Sequence, residues 1–231
     1  MCNFEVDSSI LTPHLPPGTE LDTFEGKHLV SIVGFIFEKT KILGFPAFFH
    51  HHFEELNLRF YVTRKDEGKI KRGTVFISEI VPKFMIPLVA NNLYNEHYTA
   101  LKMRHFIDFS SPTPRVRYEW KSNSGWNRLE VSSKDQFAIP EPGTIENFIS
   151  QHYWGYNKLN ESESIEYGVE HIPWETSPVN SCIFEVYTKE LYGQAFEKYL
   201  SAAPHSVFLA KGSDVLIRTP VKIRFSNSSS N

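Results

Sequence analysis

Over residues 55–62 the chain alternates strictly, with Glu55, Asn57, Arg59 and Tyr61 on one side and Leu56, Leu58, Phe60 and Val62 on the other. Successive side chains of a strand point to opposite faces, so the segment predicts a strand with one polar and one apolar face. Asp66-Glu67-Gly68 offers a hairpin turn into a second strand over 73–78. Upstream, 20–24 and 28–37 read as strands joined at Glu25-Gly26-Lys27. The run Val30, Ile32, Val33, Phe35, Ile36, Phe37 barely alternates, as in a strand buried on both faces. Further strands are predicted over 98–107, 116–120, 126–131, 164–172, 181–186 and 214–224. Helices are fewer. Asp7-Ser8-Ser9 starts a short one that Pro16-Pro17-Gly18 ends. Pro87 can open another through 93, Thr144 caps one running to about residue 153, and a last one spans 190–201 with Leu191, Phe196 and Leu200 at helical spacing. The reading is one α+β domain over 1–225, followed by a polar, disordered tail over 226–231.

Composition narrows the function classes. Net charge is −3, and the 24 Lys and Arg residues are scattered along the chain, so no electrostatic footprint for nucleic acid or an anionic membrane is expected. The most apolar run, 29–37, is too short to span a bilayer. Cys2 and Cys182, without motif spacing, read as two unpaired thiols in a reducing compartment, and the first residues lack the features of a signal peptide. The expected location is the cytoplasm. No dinucleotide-type glycine pattern, Walker A sequence or Gly-x-Ser-x-Gly occurs, and no cofactor is implied.

Several motifs share their order and spacing with one family. They include Leu15-Pro16-Pro17-Gly18-Thr19-Glu20-Leu21-Asp22, Phe53-Glu54-Glu55-Leu56-Asn57-Leu58-Arg59-Phe60-Tyr61-Val62, Leu93-Tyr94-Asn95-Glu96-His97-Tyr98, Tyr153-Trp154-Gly155-Tyr156 and Ala210-Lys211-Gly212-Ser213. On these the chain resembles the YqjF-like family of uncharacterised proteins, within the acetoacetate decarboxylase-like superfamily. The resemblance implies a mostly antiparallel, closed or cone-shaped sheet with a few short peripheral helices and a buried cavity. Superfamily decarboxylases form a Schiff base through the first of two adjacent lysines, whose pKa the neighbouring ammonium and burial depress. Here Tyr98-Thr99 stands where that pair belongs, and no Lys-Lys dipeptide occurs. Such relatives usually carry a first strand running before Asn3-Phe4-Glu5-Val6-Asp7, and this chain is expected to begin inside that strand.

The candidate site follows from these pieces. Glu55, Asn57 and Arg59 share a face that is either a pocket wall or a solvated sheet surface. If it is a pocket wall, Glu55 and Arg59 are expected to pair when the site is empty, since lone buried charges are costly. The resemblance places Glu55 at an active-site glutamate, and Tyr94, His97 and Tyr98 in the catalytic segment. There a phenol could donate a hydrogen bond to a carbonyl and a histidine could shuttle a proton. Arg104 could take a carboxylate in its fork, or lower the pKa of Lys102. His50-His51-His52 with Glu54 invites a metal reading, but a histidine run on a loop is more often a solvated one, and no metal is expected. Two functions remain open. One is a binder of a small anionic or carbonyl-containing molecule that reuses the cavity without the lysine pair. The other is a lyase- or hydrolase-type enzyme acting on a small keto or hydroxy acid through Glu55, Tyr98 and Arg59. A homo-oligomer is compatible with either.

Overall fold

The computed structural model of the chain describes residues 1–38, 41–42, 45–46, 52–82 and 98–225. The alternating segment lies within its longest strand, His52–Asp66 (β6), which forms a hairpin with Lys69–Pro82 (β7). Glu67 and Gly68 between them have φ of 47° and 79°. A two-residue turn that follows strand twist needs both values positive, and only glycine adopts them without a Cβ penalty.

On its other edge β6 pairs antiparallel with His28–Glu38 (β3), and β3 with Cys2–Val6 (β1). β7 runs parallel to Tyr98–Asp108 (β8) through Glu79 to Pro82. The sheet continues antiparallel through Arg115–Lys121 (β9), Trp126–Ser133 (β10), Thr176–Glu185 (β13) and Ser206–Ala210 (β14), and β14 pairs with β1. Because β6 pairs with both β3 and β7, the ring closes as a β-barrel of mixed strand direction.

A second layer leaves the barrel at β7, where Gly73 and Thr74 pair with Trp154–Lys158 (β11). Glu163–His171 (β12) follows on β11, and Val215–Ile217 (β15) and Val221–Arg224 (β16) lie on β12. Glu20–Leu21 (β2) caps β6, and Lys41–Ile42 (β4) pairs with Phe45–Pro46 (β5). Among the described residues the α-helices are Ile145–Ser150 (α1), Thr188–Tyr192 (α2) and Gln194–Leu200 (α3). Among the described residues no helix is long and apolar enough to cross a membrane.

The apolar face of β6 fills the barrel: Leu56, Leu58, Phe60 and Val62 are fully buried against Phe4, Ile32 and Trp120. Gly34 identifies this face as the interior. A Cβ there would lie 2.7 Å from the ring of Tyr118 on β9, a strand that is not a neighbour of β3, so the contact spans the barrel. On the opposite face Tyr61 joins Leu29, Phe148, Ile149 and Phe208 beneath α1. The wall is therefore covered on both sides, which explains why β3 does not alternate.

Several elements differ from the sequence reading. The first helix is two 3-10 turns, Ser8–Ile10 and Thr12–His14, with the Asp7 carboxylate capping Ser9 N. The last helix is broken at Gly193, whose backbone (φ 86°, ψ 168°) is not helical, so α2 and α3 are separate. The last strand splits into β15 and β16 before Pro220, which has no N–H to donate. The predicted helix over 87–93 and the tail over 226–231 lie outside the described residues.

Candidate ligand-binding site

The polar face of β6 turns away from the barrel interior, yet it is buried: Glu55 is 3% exposed and Asn57 2%. Asn57 Nδ2 donates to Glu55 Oε1 at 3.3 Å. In the β-ladder Asn57 stands opposite Glu79, itself 2% exposed, and Glu79 stands beside Tyr98. Asn57, Glu79 and Tyr98 thus form one row across three strands, its ends roughly 10 Å apart at about 4.8 Å per strand.

Arg59 continues that face one step along β6. The β6–β7 register shifts between Leu58 and Arg59, so one extra β7 residue is inserted and Phe76 comes opposite Arg59. The expected Glu55–Arg59 pair does not form. Arg59 turns instead toward Met1, with Nη2 3.9 Å from the Met1 sulfur, and its carbon Cζ lies 5.9 Å from the Tyr61 ring centre. Its Nε is buried with no hydrogen-bond partner among the described residues. A cavity of about 50 Å³ opens beside it, walled by Arg59, Phe76, His152, Trp154, His171 and Trp174.

Two polar assemblies brace this recess. Tyr61 and Ser31 share a 2.6 Å hydrogen bond, Ser31 donates to Asn3 Oδ1 at 2.6 Å, and Asn3 Nδ2 donates to Ser206 at 2.8 Å. This chain crosses four strands, β6, β3, β1 and β14. On the α1 side, His152 Nε2 lies 3.1 Å from Asp22 Oδ2, and Arg72 Nε lies 3.3 Å from the same oxygen. Burial pushes the His152 pKa down, against its bond to Asp22. For Asp22 burial pushes up, but the His152 bond and the charges of His152 and Arg72 outweigh it and hold the carboxyl below its ordinary range. Burial also lowers the His171 pKa, and the charge of Arg59 acts the same way. His171 stacks on Trp174 at 4.2 Å, and Trp174 Nε1 donates to Ser213 at 3.0 Å.

The Asp22 bracing carries an expected pH dependence. A depressed carboxylate contributes stability above its unfolded value, near 3.9, and loses it as pH falls through the lower folded value. Asp22→Asn is expected to cost about 1–3 kcal/mol near neutrality, because it weakens bonds to buried partners. It should also flatten the loss of stability below about pH 4. Urea unfolding of both proteins at neutral and acid pH checks this; parallel stability curves would contradict it.

The other candidates lie elsewhere. Arg104 donates Nε and Nη2 to the two oxygens of Glu119, each at 2.9 Å, and lies 4.2 Å over Trp126 on an exposed face. Its fork is already occupied by a carboxylate. Lys102 lies on the same face, 5.9 Å from Trp126. Tyr94, His97, His50 and His51 lie outside the described residues, and His52 is 3.7 Å from Glu38. No cluster of three metal-ligating side chains occurs among the described residues. Sequence reasoning missed Glu79, which stands one residue beyond the predicted strand. It also missed the Asp22–His152 contact, whose partners are 130 positions apart.

A family model described as DUF2071, uncharacterized conserved protein, matches residues 1–214. No curated protein matches by sequence. Solved structures agree in fold. An acetoacetate decarboxylase-like enzyme from Sphingomonas wittichii RW1 is 13% identical, with TM-score 0.58 over 96% of this chain and 87% of that one. Acetoacetate decarboxylase from Legionella pneumophila is 13% identical, with TM-score 0.54 over 97% and 81%. The enduracididine biosynthesis enzyme MppR complexed with pyruvate is 12% identical, with TM-score 0.56 over 93% and 86%. At these identities the likeness is one of fold, and it agrees with the closed sheet expected from the motifs.

Proposed function

The chain belongs to the DUF2071 family, the YqjF-like group its motifs resemble, and from that membership and the recess beside Arg59 we propose that it binds a small molecule through a carboxylate. The observation that carries this reading is Arg59 itself. A guanidinium whose Nε is buried without a hydrogen-bond partner among the described residues, beside an aromatic-walled cavity, is a donor in search of an acceptor. A carboxylate supplies two acceptor oxygens in the planar geometry that a guanidinium matches. The about 50 Å³ of free volume suits a group of carboxylate size, since one water needs roughly 10–15 Å³ on such a measure. The stacked His171 and Trp174 and the ring of Trp154 would face the rest of the ligand. MppR, with a similar fold, was solved with pyruvate, which makes pyruvate the natural probe.

Equilibrium titration with pyruvate and with its neutral amide tests the reading. Pyruvate is expected to bind and the amide to bind at least about tenfold more weakly, the difference of one charge-assisted pair. Equal binding of both would remove Arg59 from the account.

The chemistry of bound pyruvate or acetoacetate is expected to differ from that of a decarboxylase. Without adjacent lysines there is no mutually depressed amine to form an imine at neutral pH. Borohydride added in the presence of acetoacetate should leave the intact mass unchanged. A stable adduct mapping to Lys102 would revive amine catalysis.

A second reading, an acid–base enzyme for a keto or hydroxy acid, rests on the row that joins Glu55 and Asn57 to Glu79 and Tyr98. Two carboxyl groups buried on one sheet face next to a phenol are the equipment for proton transfer. Turnover of a bound oxo or hydroxy acid that Glu79→Gln abolishes, with binding retained, would favour it.

A further inference from the structure

Cys2 and Cys182 stand at opposite ends of the sequence, 180 positions apart, yet their sulfurs are 3.6 Å apart in the barrel. Their strands are not neighbours. β14 lies between β1 and β13, so the contact is made by side chains that point inward. Cys2 sits opposite Ile32 and Val207, and Cys182 opposite Val131, all of them apolar partners on the same interior face. Both thiols are free, Cys2 fully buried and Cys182 half-buried. A disulfide needs about 2.05 Å between sulfurs, so the pair is about 1.5 Å from bonding.

We infer that Cys2 and Cys182 form a reversible disulfide across the barrel interior by thiol–disulfide exchange with a small disulfide such as oxidised glutathione. The half-buried Cys182 acts first. Its thiolate attacks one sulfur of the small disulfide, breaks that bond, releases one small thiolate and leaves a mixed disulfide on Cys182. Cys2 then loses its proton and attacks the Cys182 sulfur, releasing the second small thiolate. The two protein thiols are oxidised by two electrons, one small disulfide is reduced to two thiols, and excess small thiol reverses the sequence. The hydrogen bond between the two thiols favours this order: it lowers the Cys182 pKa, while the same contact, with burial, pushes that of Cys2 up. The bond would fasten β1, whose Asn3 holds Ser31, next to Met1, whose sulfur lies 3.9 Å from Arg59 Nη2. The inference is independent of the ligand reading.

The test uses the full chain, reduced and then equilibrated in glutathione buffers of rising oxidised fraction, alkylated, and weighed intact. Both thiols are expected to disappear together with the loss of two hydrogens and no lasting glutathione adduct, and digestion should recover peptides joined through residues 2 and 182. In Cys2→Ser the resolving thiol is gone, so Cys182 should keep its glutathione. If that variant does not fold, peptide mapping of the unaltered chain decides alone. Two thiols still open to alkylation in the most oxidising buffer would overturn the inference. So would a mixed disulfide on Cys182 that persists in the unaltered chain.

Discussion

Replacing Arg59 by Met is expected to weaken pyruvate binding roughly ten- to hundredfold while leaving the fold as stable as before or slightly more so. The two effects have opposite origins. In the complex a charge-assisted bond to carboxylate is worth about 1.5–3 kcal/mol, which sets the loss of affinity. In the free protein the same guanidinium has a buried Nε without a partner among the described residues and forms no ion pair with Glu55. Methionine has similar reach and no polar atom to leave unsatisfied, so it relieves that cost. A residue kept for structure would show the reverse, with stability falling along with affinity. Calorimetric titration and urea unfolding of the same preparation separate the cases. Unchanged affinity would mean that the carboxylate is held elsewhere.

The largest stability effect is expected at Glu166. Its carboxylate, 9% exposed, accepts from Arg64 Nη1 at 2.9 Å, Lys71 Nζ at 2.6 Å and the Tyr156 hydroxyl at 2.9 Å. Asp66 completes the cluster, 3.1 Å from Arg64 and 2.7 Å from Lys71, and Lys71 lies 4.1 Å over Trp154. Two cations and two anions balance. Glu166→Ala leaves two poorly hydrated cations sharing one carboxylate and a buried phenol without its acceptor. Breaking a buried pair from one side typically costs about 3–5 kcal/mol. Against a total of about 5–15 kcal/mol for a folded domain, that is a large fraction. The cluster also fastens β11 and β12 to the β6–β7 hairpin, and those strands carry Trp154 and His171 into the recess wall. A variant that remains folded should therefore also bind pyruvate more weakly. A loss under about 1 kcal/mol in urea unfolding would place the cluster among ordinary surface ion pairs.

How far the sequence disclosed this molecule depended on how local each signal was. The alternation over 55–62 assigned the faces of β6, and the Asp66-Glu67-Gly68 turn assigned its partner, because both signals lie within a few residues. Periodicity shows that a strand has two faces but not what covers them. Leu58 and Phe60 fill the barrel, while Arg59 and Tyr61 lie under a second layer built by segments about 90 positions away. The short strands β11 and β14 escaped notice because five residues next to a helix or a proline carry too little pattern. The break at Gly193 was visible as a residue type, yet isolated glycines also occur within helices. Glu79 lies just past the predicted strand and carried no signal of its own; the parallel register with β8 is what places it beside Tyr98. The Cys2–Cys182 contact had no local signal at all, since closure of the whole barrel creates it.

The most direct measurement of the central claim is a crystal structure of the protein soaked with pyruvate. The carboxylate is expected within hydrogen-bond reach of the Arg59 guanidinium, with the rest of the molecule against Trp154, His171 and Trp174. Pyruvate seated at another cation, with the recess beside Arg59 holding only water, would contradict it.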